Sequence, residues 1–476
     1  MLGDDQFMDP SAEAVWEDPG LWTDLYHPDA AYVAWNAGYN PDVTFDLVVR
    51  EAPFRGAYLV LAGVNAALRF ITGFHYGDRS LETLRTLGYP EPYLEDLSSL
   101  RFTGDVAAIP EGRLAFPGEP LLRVSAPFRE ALLMESGVLR AVNTATLIAT
   151  KATRMVQAAA GRPVAEFGFR RAQAPLVAAY AARIGGCAST SFLAAASAFG
   201  LPASGTIPHA LVQLFSEEEE AFRAVAAAHD RFRLLLDTYD TLRAAEKAVR
   251  VGTWARANLG HELIAVRLDS GDLDALSRQV RQILDEGGFP ETQILVSGDL
   301  DEWKIAALIE SRAPVDAFGV GTSLVDGLGS LEHSAEGGAL GGVYKLAWVE
   351  ADAGSPGHAA IKLAGAKTTV PGVKQAARAP RGSHDLLLLA SEAIPKGFSP
   401  LLQPAITSGR LVKPFAADTL SAAVSRAAAD LQVLPAEWKA LAPSRTYPVE
   451  FSLDLQEMVA RVTAQKDEPY LAGSSS

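Results

Sequence analysis

Between Asp42 and Arg50 the chain reads DVTFDLVVR, with apolar and polar residues alternating at the period of a half-buried strand. The run AYLVLAGVNAALRFITG that follows predicts a strand and then a helix. Short apolar runs broken by Pro and Gly over Val106–Pro127 predict a β meander. This part, residues 1–130, is expected to be an N-terminal α+β domain. The rhythm then changes. A long helical stretch over about Arg129–Ala160 leads into repeated strand-then-helix runs: VAEFGF, RFRLLLDTY, LIAVRLDSGD, TQILVSGD and VDAFGVGTS, with GGVYKLAWV after them. Near-continuous apolar strands alternating with helices predict an α/β domain, a parallel sheet covered by helices. So many units fit a TIM-like barrel better than an open sheet. This barrel is expected over residues 131–365. Beyond it the pattern loosens into a C-terminal segment, 366–476, with a short β stretch at LLQPAITSGRLV and then mostly helix. That segment is expected to pack partly on the N-terminal domain.

Composition narrows the function. Hydrophobic residues make up 49% and charged residues 21% of the 476, which is globular rather than disordered. A formal net charge of −15 argues against nucleic acid or an acidic membrane surface as the main partner. A small anionic substrate would need a locally basic site. The single cysteine, Cys187, excludes an internal disulfide and argues against a cysteine zinc site. The acidic first residues lack the apolar core of a signal peptide, and no run reaches the roughly 20 apolar residues of a membrane span. A cytoplasmic protein is expected.

In α/β barrels, polar residues at the C-terminal ends of the strands line the active site. Here FGFRR ends one strand with Arg170 and Arg171, VRLDSGD another with Arg267, Asp269, Ser270 and Asp272, VSGDLDE a third with Ser297 and Asp299, and FGVGTS a fourth with Gly319, Gly321, Thr322 and Ser323. The last is a phosphate-cradle candidate, because glycines let successive N–H groups approach an anion; an ordinary tight turn is the competing interpretation. Asp269 suits a ribose diol, whose two hydroxyls a carboxylate can accept; a helix N-cap is the alternative, which Ser270 or Asp272 would supply equally. Arg170 and Arg267 suit a planar carboxylate or phosphate, against the alternative of a structural ion pair. Within SGTIPHALVQLF, Pro208 fits the first position of a helix and places His209 in its first turn. The helix dipole there disfavours imidazolium and welcomes a phosphate, which suits a nucleophilic, transiently phosphorylated imidazole. A plain surface or capping histidine is the competing interpretation.

Eight motifs in order carry a resemblance: TDLY (Thr23–Tyr26), FDLVVR, EFGFRRAQ (Glu166–Gln173), GTIPH (Gly205–His209), VRLDSGDL, SGDLDE, FGVGTSL and GGVYKL. Together, over about Thr23–Val412, they resemble the nicotinate phosphoribosyltransferase family. The resemblance implies an irregular α/β barrel with an N-terminal α+β domain. It implies transfer of phosphoribose from 5-phosphoribosyl 1-pyrophosphate to nicotinate in NAD salvage, giving nicotinate mononucleotide and pyrophosphate, coupled to ATP hydrolysis. It assigns phosphorylation to His209 and nicotinate contacts to Tyr26, Arg170, Thr206 and Arg267. It assigns the phosphoribosyl pyrophosphate site to Asp269, Ser297, Gly298, Gly319, Gly321, Thr322 and Thr369. Mg²⁺, with no ligands assigned, and a homodimer in which Tyr26 serves the partner's site are further implications. The chain departs from the family pattern at Pro208 and Ala210 beside the histidine, at Phe192 in Thr190–Phe192, and at Pro28.

The residues leave other functions open. One is a nicotinamide phosphoribosyltransferase, for whose neutral base an arginine clamp confers less advantage. Another is a non-catalytic barrel that binds a phosphosugar or nucleotide. A third, a barrel lyase, would need a Schiff-base lysine, for which Lys345 in GGVYKL is the obvious strand candidate.

Overall fold

The strand-then-helix alternation builds one sheet. In the computed structural model, which describes residues 18–330, 337–351, 356–363 and 368–467, six strands run parallel: β1 (Val164–Glu166), β2 (Ser189–Thr190), β3 (Arg231–Leu235), β4 (Glu262–Leu268), β5 (Gln293–Val296) and β6 (Ala317–Val320). Their order across the sheet is β2-β1-β6-β5-β4-β3. Taken from the other edge this is β3-β4-β5-β6-β1-β2, the cyclic order of a barrel cut at one seam. An open doubly wound sheet reverses direction at a switch point instead. The sheet is thus a curled parallel half-barrel, and the expected irregular TIM-like α/β domain is present.

The side chains of Val266, Leu268, Ile294, Val296, Phe318 and Val320, which share one face of this sheet, are fully buried. Helices Thr241–Asn258, Leu273–Glu286 and Glu302–Glu310 follow β3, β4 and β5. Each begins at an aspartate, Asp240, Asp272 or Asp301, whose side chain accepts from a backbone N–H of the first turn. The cap after β4 is therefore Asp272, and Asp269 is left to other partners.

The chain divides into two compact units, one comprising Lys151–Gly338 and the other the described residues before Lys151 together with those from Ala339 onward. The second unit is built on a seven-stranded sheet to which both chain ends contribute. The predicted strand Asp42–Val49 is central. It pairs antiparallel with Pro120–Pro127 on one side and with Gly342–Val349 on the other. The meander residues Asp105–Ala108 pair with Gln403–Thr407, so the C-terminal segment packs back as expected. The stretch GGVYKLAWV, expected to follow on from the strand–helix units, instead completes this antiparallel sheet. Tyr344, Ala347 and Val349 are its buried positions, the others being half-buried. The long helical stretch after Arg129 is two helices, Phe128–Leu133 and Glu135–Ala158. Lys374–Arg378, Asp385–Leu389, Ser399–Pro400 and Val449–Phe451 form a four-stranded sheet that the loosened sequence pattern did not reveal. Among the described residues, no helix is long and apolar enough to cross a membrane.

Candidate active site

Successive side chains on a strand alternate faces, so Arg267 and Asp269, two apart at the end of β4, project the same way. The Arg267 guanidinium spends each of its three nitrogens on a different neighbour. Nε donates to Ser297 Oγ at 2.7 Å, Nη1 to Thr206 Oγ1 at 3.0 Å and Nη2 to Asp269 Oδ1 at 2.6 Å. Ser297 Oγ in turn donates to the same Asp269 oxygen at 2.5 Å. The other carboxylate oxygen, Oδ2, lies 4.0 Å from His209 Nε2, and His209 Nδ1 is 3.1 Å from Thr238 Oγ1. Thr206, His209, Arg267, Asp269 and Ser297 therefore form one connected polar cluster at the C-terminal ends of the parallel strands. Its members are graded in exposure: Ser297 is buried, whereas the side chains of Asp269 and His209 are 29% and 41% exposed. Burial works to raise the Asp269 carboxyl, but the Ser297 hydroxyl, the Arg267 guanidinium and His209 outweigh it and hold it below the ordinary range.

Two glycines let the turns come this close. Gly298 has φ +93°, and a Cβ there would lie 1.8 Å from the Asp269 carbonyl oxygen, so only glycine allows the turn after β5 to abut the turn after β4. At Gly319 a Cβ would meet the Phe167 ring at 2.5 Å. Gly321 is different: the nearest atom to its Cβ position is 3.6 Å away and its φ is −127°. A side chain there would only touch the Phe167 carbonyl, so neither clash nor positive φ requires glycine at this position. Thr322 starts a helix of only four residues, Thr322–Val325. The helix after His209, His209–Leu214, is also short, and Pro208 caps it from outside instead of occupying its first position.

Arg170 is exposed in the loop after β1 and makes no hydrogen bond or ion pair with the described residues. Tyr26 and Thr369 belong to the other unit. Tyr26 opens the helix Tyr26–Asn36 and is 58% exposed, and Thr369 Oγ1 accepts from the Lys362 amide at 2.9 Å. Lys345 lies on the antiparallel strand Gly342–Val349 and not on a strand of the parallel sheet, so a barrel lyase loses its candidate strand lysine.

Three residues absent from the sequence candidates stand in the cluster. Asp237 Oδ2 accepts from the Asp269 amide at 3.1 Å and from Ser270 Oγ at 2.5 Å. Thr238 meets His209. The Phe167 ring lies under the Arg267 guanidinium, 5.8 Å from centroid to carbon, a cation–π arrangement. Asp237 and Thr238 end β3 just as Arg267 and Asp269 end β4, so the strand-end rule applied evenly would have found them.

The comparisons agree with this architecture. Residues 21–143 match the nicotinate phosphoribosyltransferase (NAPRTase) N-terminal domain, and residues 148–326 match the quinolinate phosphoribosyl transferase C-terminal domain. A nicotinate phosphoribosyltransferase of Mycobacterium tuberculosis, pncB2, is 37% identical over 452 residues, covering 93% of each chain. The chain belongs to the nicotinate phosphoribosyltransferase family. A Bacillus subtilis member is 40% identical over 364 residues, 75% of this chain and 72% of its own. The crystal structure of human nicotinic acid phosphoribosyltransferase superposes with a TM-score of 0.79 at 28% identity, covering 92% of this chain and 99% of the human one. The family's enzymes act in NAD biosynthesis, in keeping with the motifs from TDLY to GGVYKL.

Proposed function

We propose that this chain transfers phosphoribose from 5-phosphoribosyl 1-pyrophosphate to nicotinate, coupled to ATP hydrolysis through a phosphorylated His209. The observation that carries this reading is the Arg267–Asp269–Ser297–Thr206 network with His209 at its edge, in a chain of this family. Arg267, with Thr206 beside it and the Phe167 ring beneath it, suits the carboxylate and flat face of the pyridine acid. Arg170 is a further base contact in this reading, and Tyr26 serves the site of a second copy of the chain. Asp269, steadied by Ser297, accepts from the ribose hydroxyls. Gly298, Gly319, Gly321, Thr322 and Thr369 receive the phosphates in this reading.

In the transfer, the C1–O bond breaks with its electron pair leaving on pyrophosphate, and the pyridine nitrogen's lone pair forms the new bond to C1. No proton moves, because that nitrogen carries none. The residues contribute positioning, together with hydrogen bonds to the charge that develops on the leaving group. The imidazole of His209 takes the terminal phosphoryl of ATP, releasing ADP, and water later releases it as phosphate.

Mg²⁺ fits the donor set as a substrate-borne ion. No cluster of three or more metal-binding side chains occurs among the described residues, and Mg²⁺ commonly binds through one or two carboxylates plus substrate phosphates. Asp237 offers such an oxygen: its Oδ1 is buried without a hydrogen-bond partner. Asp237 and Asp269 would hold the ion, which when bound neutralises charge on the diphosphate. We place the enzyme in the cytoplasm as a homodimer, in keeping with the family resemblance.

Incubation with nicotinate, 5-phosphoribosyl 1-pyrophosphate and ATP tests the function. Mononucleotide, pyrophosphate and ADP should all form. Binding of the sugar donor without pyrophosphate release would favour a non-catalytic barrel. Preference for nicotinamide over nicotinate in direct competition would overturn the choice of base.

A further inference from the structure

Glu166 is a buried carboxylate at the end of β1 with no part in the cluster above. Both of its oxygens are engaged. Oε1 accepts a close hydrogen bond from the Gly168 amide, and Oε2 accepts from Thr190 Oγ1 at 2.5 Å. Thr190 ends the neighbouring strand β2, and its hydroxyl oxygen also accepts from the Phe192 amide at 3.0 Å. The Glu166 carbonyl takes the Ser191 amide at 2.9 Å. One side chain thus joins two strand-end loops, Phe167–Arg171 and Ser191–Phe192.

What those loops carry gives the joint its meaning. The first holds Phe167, whose ring lies against Gly319 and under Arg267, and Arg170 beyond it. Gly168 lies close against the short helix Thr322–Val325: a Cβ there would be 2.1 Å from the Val325 side chain. The second holds Phe192, whose ring stacks on Phe169 at 4.1 Å and 13°. Thr190 also bridges in parallel to Ala203, three residues before Thr206. The brace therefore reaches both walls of the region assigned to the pyridine base: the Phe167 wall directly, and the Thr206 wall through Thr190. Burial pushes the Glu166 carboxyl up against the lowering effect of its two hydrogen bonds; a glutamine there keeps an oxygen for the Gly168 amide and can turn the Thr190 bond round, its amide nitrogen donating to Oγ1.

We propose that Glu166 is a positioning residue for the aromatic base: through Gly168 and Thr190 it holds the Phe167–Arg171 and Ser191–Phe192 loops in the geometry that receives the pyridine acid. This rests on the function proposed above and adds a residue pair to it. The phosphoribosyl side of the site hangs on β4, β5 and β6 and is expected to be indifferent to the brace.

The test is steady-state kinetics on the full chain for E166A, E166Q, T190V and T190S, with the melting temperature of each. The expected result is that E166A and T190V raise the KM for nicotinate by about tenfold or more and leave the KM for 5-phosphoribosyl 1-pyrophosphate within about twofold, the signature of lost binding geometry at one substrate. E166Q and T190S, which can keep the bonds, should stay near wild type. Should E166A fail to fold, T190V against T190S carries the same comparison with less disturbance. An active wild type whose T190V variant raises both KM values equally, or whose E166Q is as impaired as E166A, overturns the proposal alone. A wild type that releases no pyrophosphate with nicotinate overturns the function and the proposal together.

Discussion

Arg267 and Asp269 share a 2.6 Å ion pair at the end of one strand, and Ser297 on the next strand bonds to both. The pairing pre-orients the two side chains differently. The arginine is held flat beside Thr206, and the carboxylate keeps Oδ2 clear of the ion pair. Arg→Lys here cannot reproduce three bonds in a plane. R267K should lower kcat/KM for nicotinate by about 10²-fold, near 3 kcal/mol of transition-state binding, measured by initial rates.

In the proposed function His209 carries the coupling and not the transfer. H209A should still form mononucleotide from nicotinate and the sugar donor, while ADP released per mononucleotide falls to background. Full coupling in that variant would remove His209 from the role.

The pH response of Asp269 has a definite sign. Its folded-state acidity is stronger than that of an exposed aspartate, whose pKa is about 3.9. Ionised Asp269 therefore contributes stability in full above that value, and the contribution is lost as pH falls through the lower, folded-state value. Wild type should keep this contribution at pH 5 and lose it below pH 4, while D269N should lack it throughout. Denaturant midpoints of the two proteins from pH 7 to pH 3 should converge at the acid end. Midpoints that stay parallel would contradict the ion pair.

Glycine matters at Gly298 and not at Gly205. G298A places a methyl against the Asp269 carbonyl at a positive φ and should cost about 2–4 kcal/mol of stability along with most activity. Gly205 has open space and an ordinary φ, so G205A should melt with wild type. Thermal unfolding of the two variants side by side checks this.

Glu302 is buried between Lys151 Nζ at 2.5 Å and Arg154 Nε at 3.0 Å, at the start of the helix that follows the Ser297–Gly298 turn. Removing it leaves two buried cations without their carboxylate. E302A should destabilise by about 3–5 kcal/mol in chemical denaturation, well beyond the loss for an exposed pair such as Arg445–Glu437.

Local pattern was enough for much of this. The apolar runs in and before VRLDSGD, VSGD and FGVGTS are strands of a largely buried parallel sheet, and their polar ends follow from where such a sheet meets solvent. Hence Arg267, Asp269, Ser297 and Gly319 could be picked out in the sequence, and the ordered motifs pointed to a family that the comparisons bear out. What the sequence could not decide depends on partners far along the chain. Strand Gly342–Val349 carries the same apolar signature as the parallel strands, yet it pairs with Asp42–Val49 some three hundred residues earlier, a choice made by long-range hydrogen bonding. The Asp272 cap and the Arg267–Asp269 pair are local, but the Ser297 hydroxyl meets both partners of that pair because Gly298 lets the turn after β5 abut the turn after β4. Asp237, Thr238 and the Glu166–Thr190 brace likewise acquire meaning only when neighbouring strands set their ends side by side. Periodicity is a property of residues a few positions apart, whereas a site is a meeting of residues that only the closed fold brings within hydrogen-bonding reach.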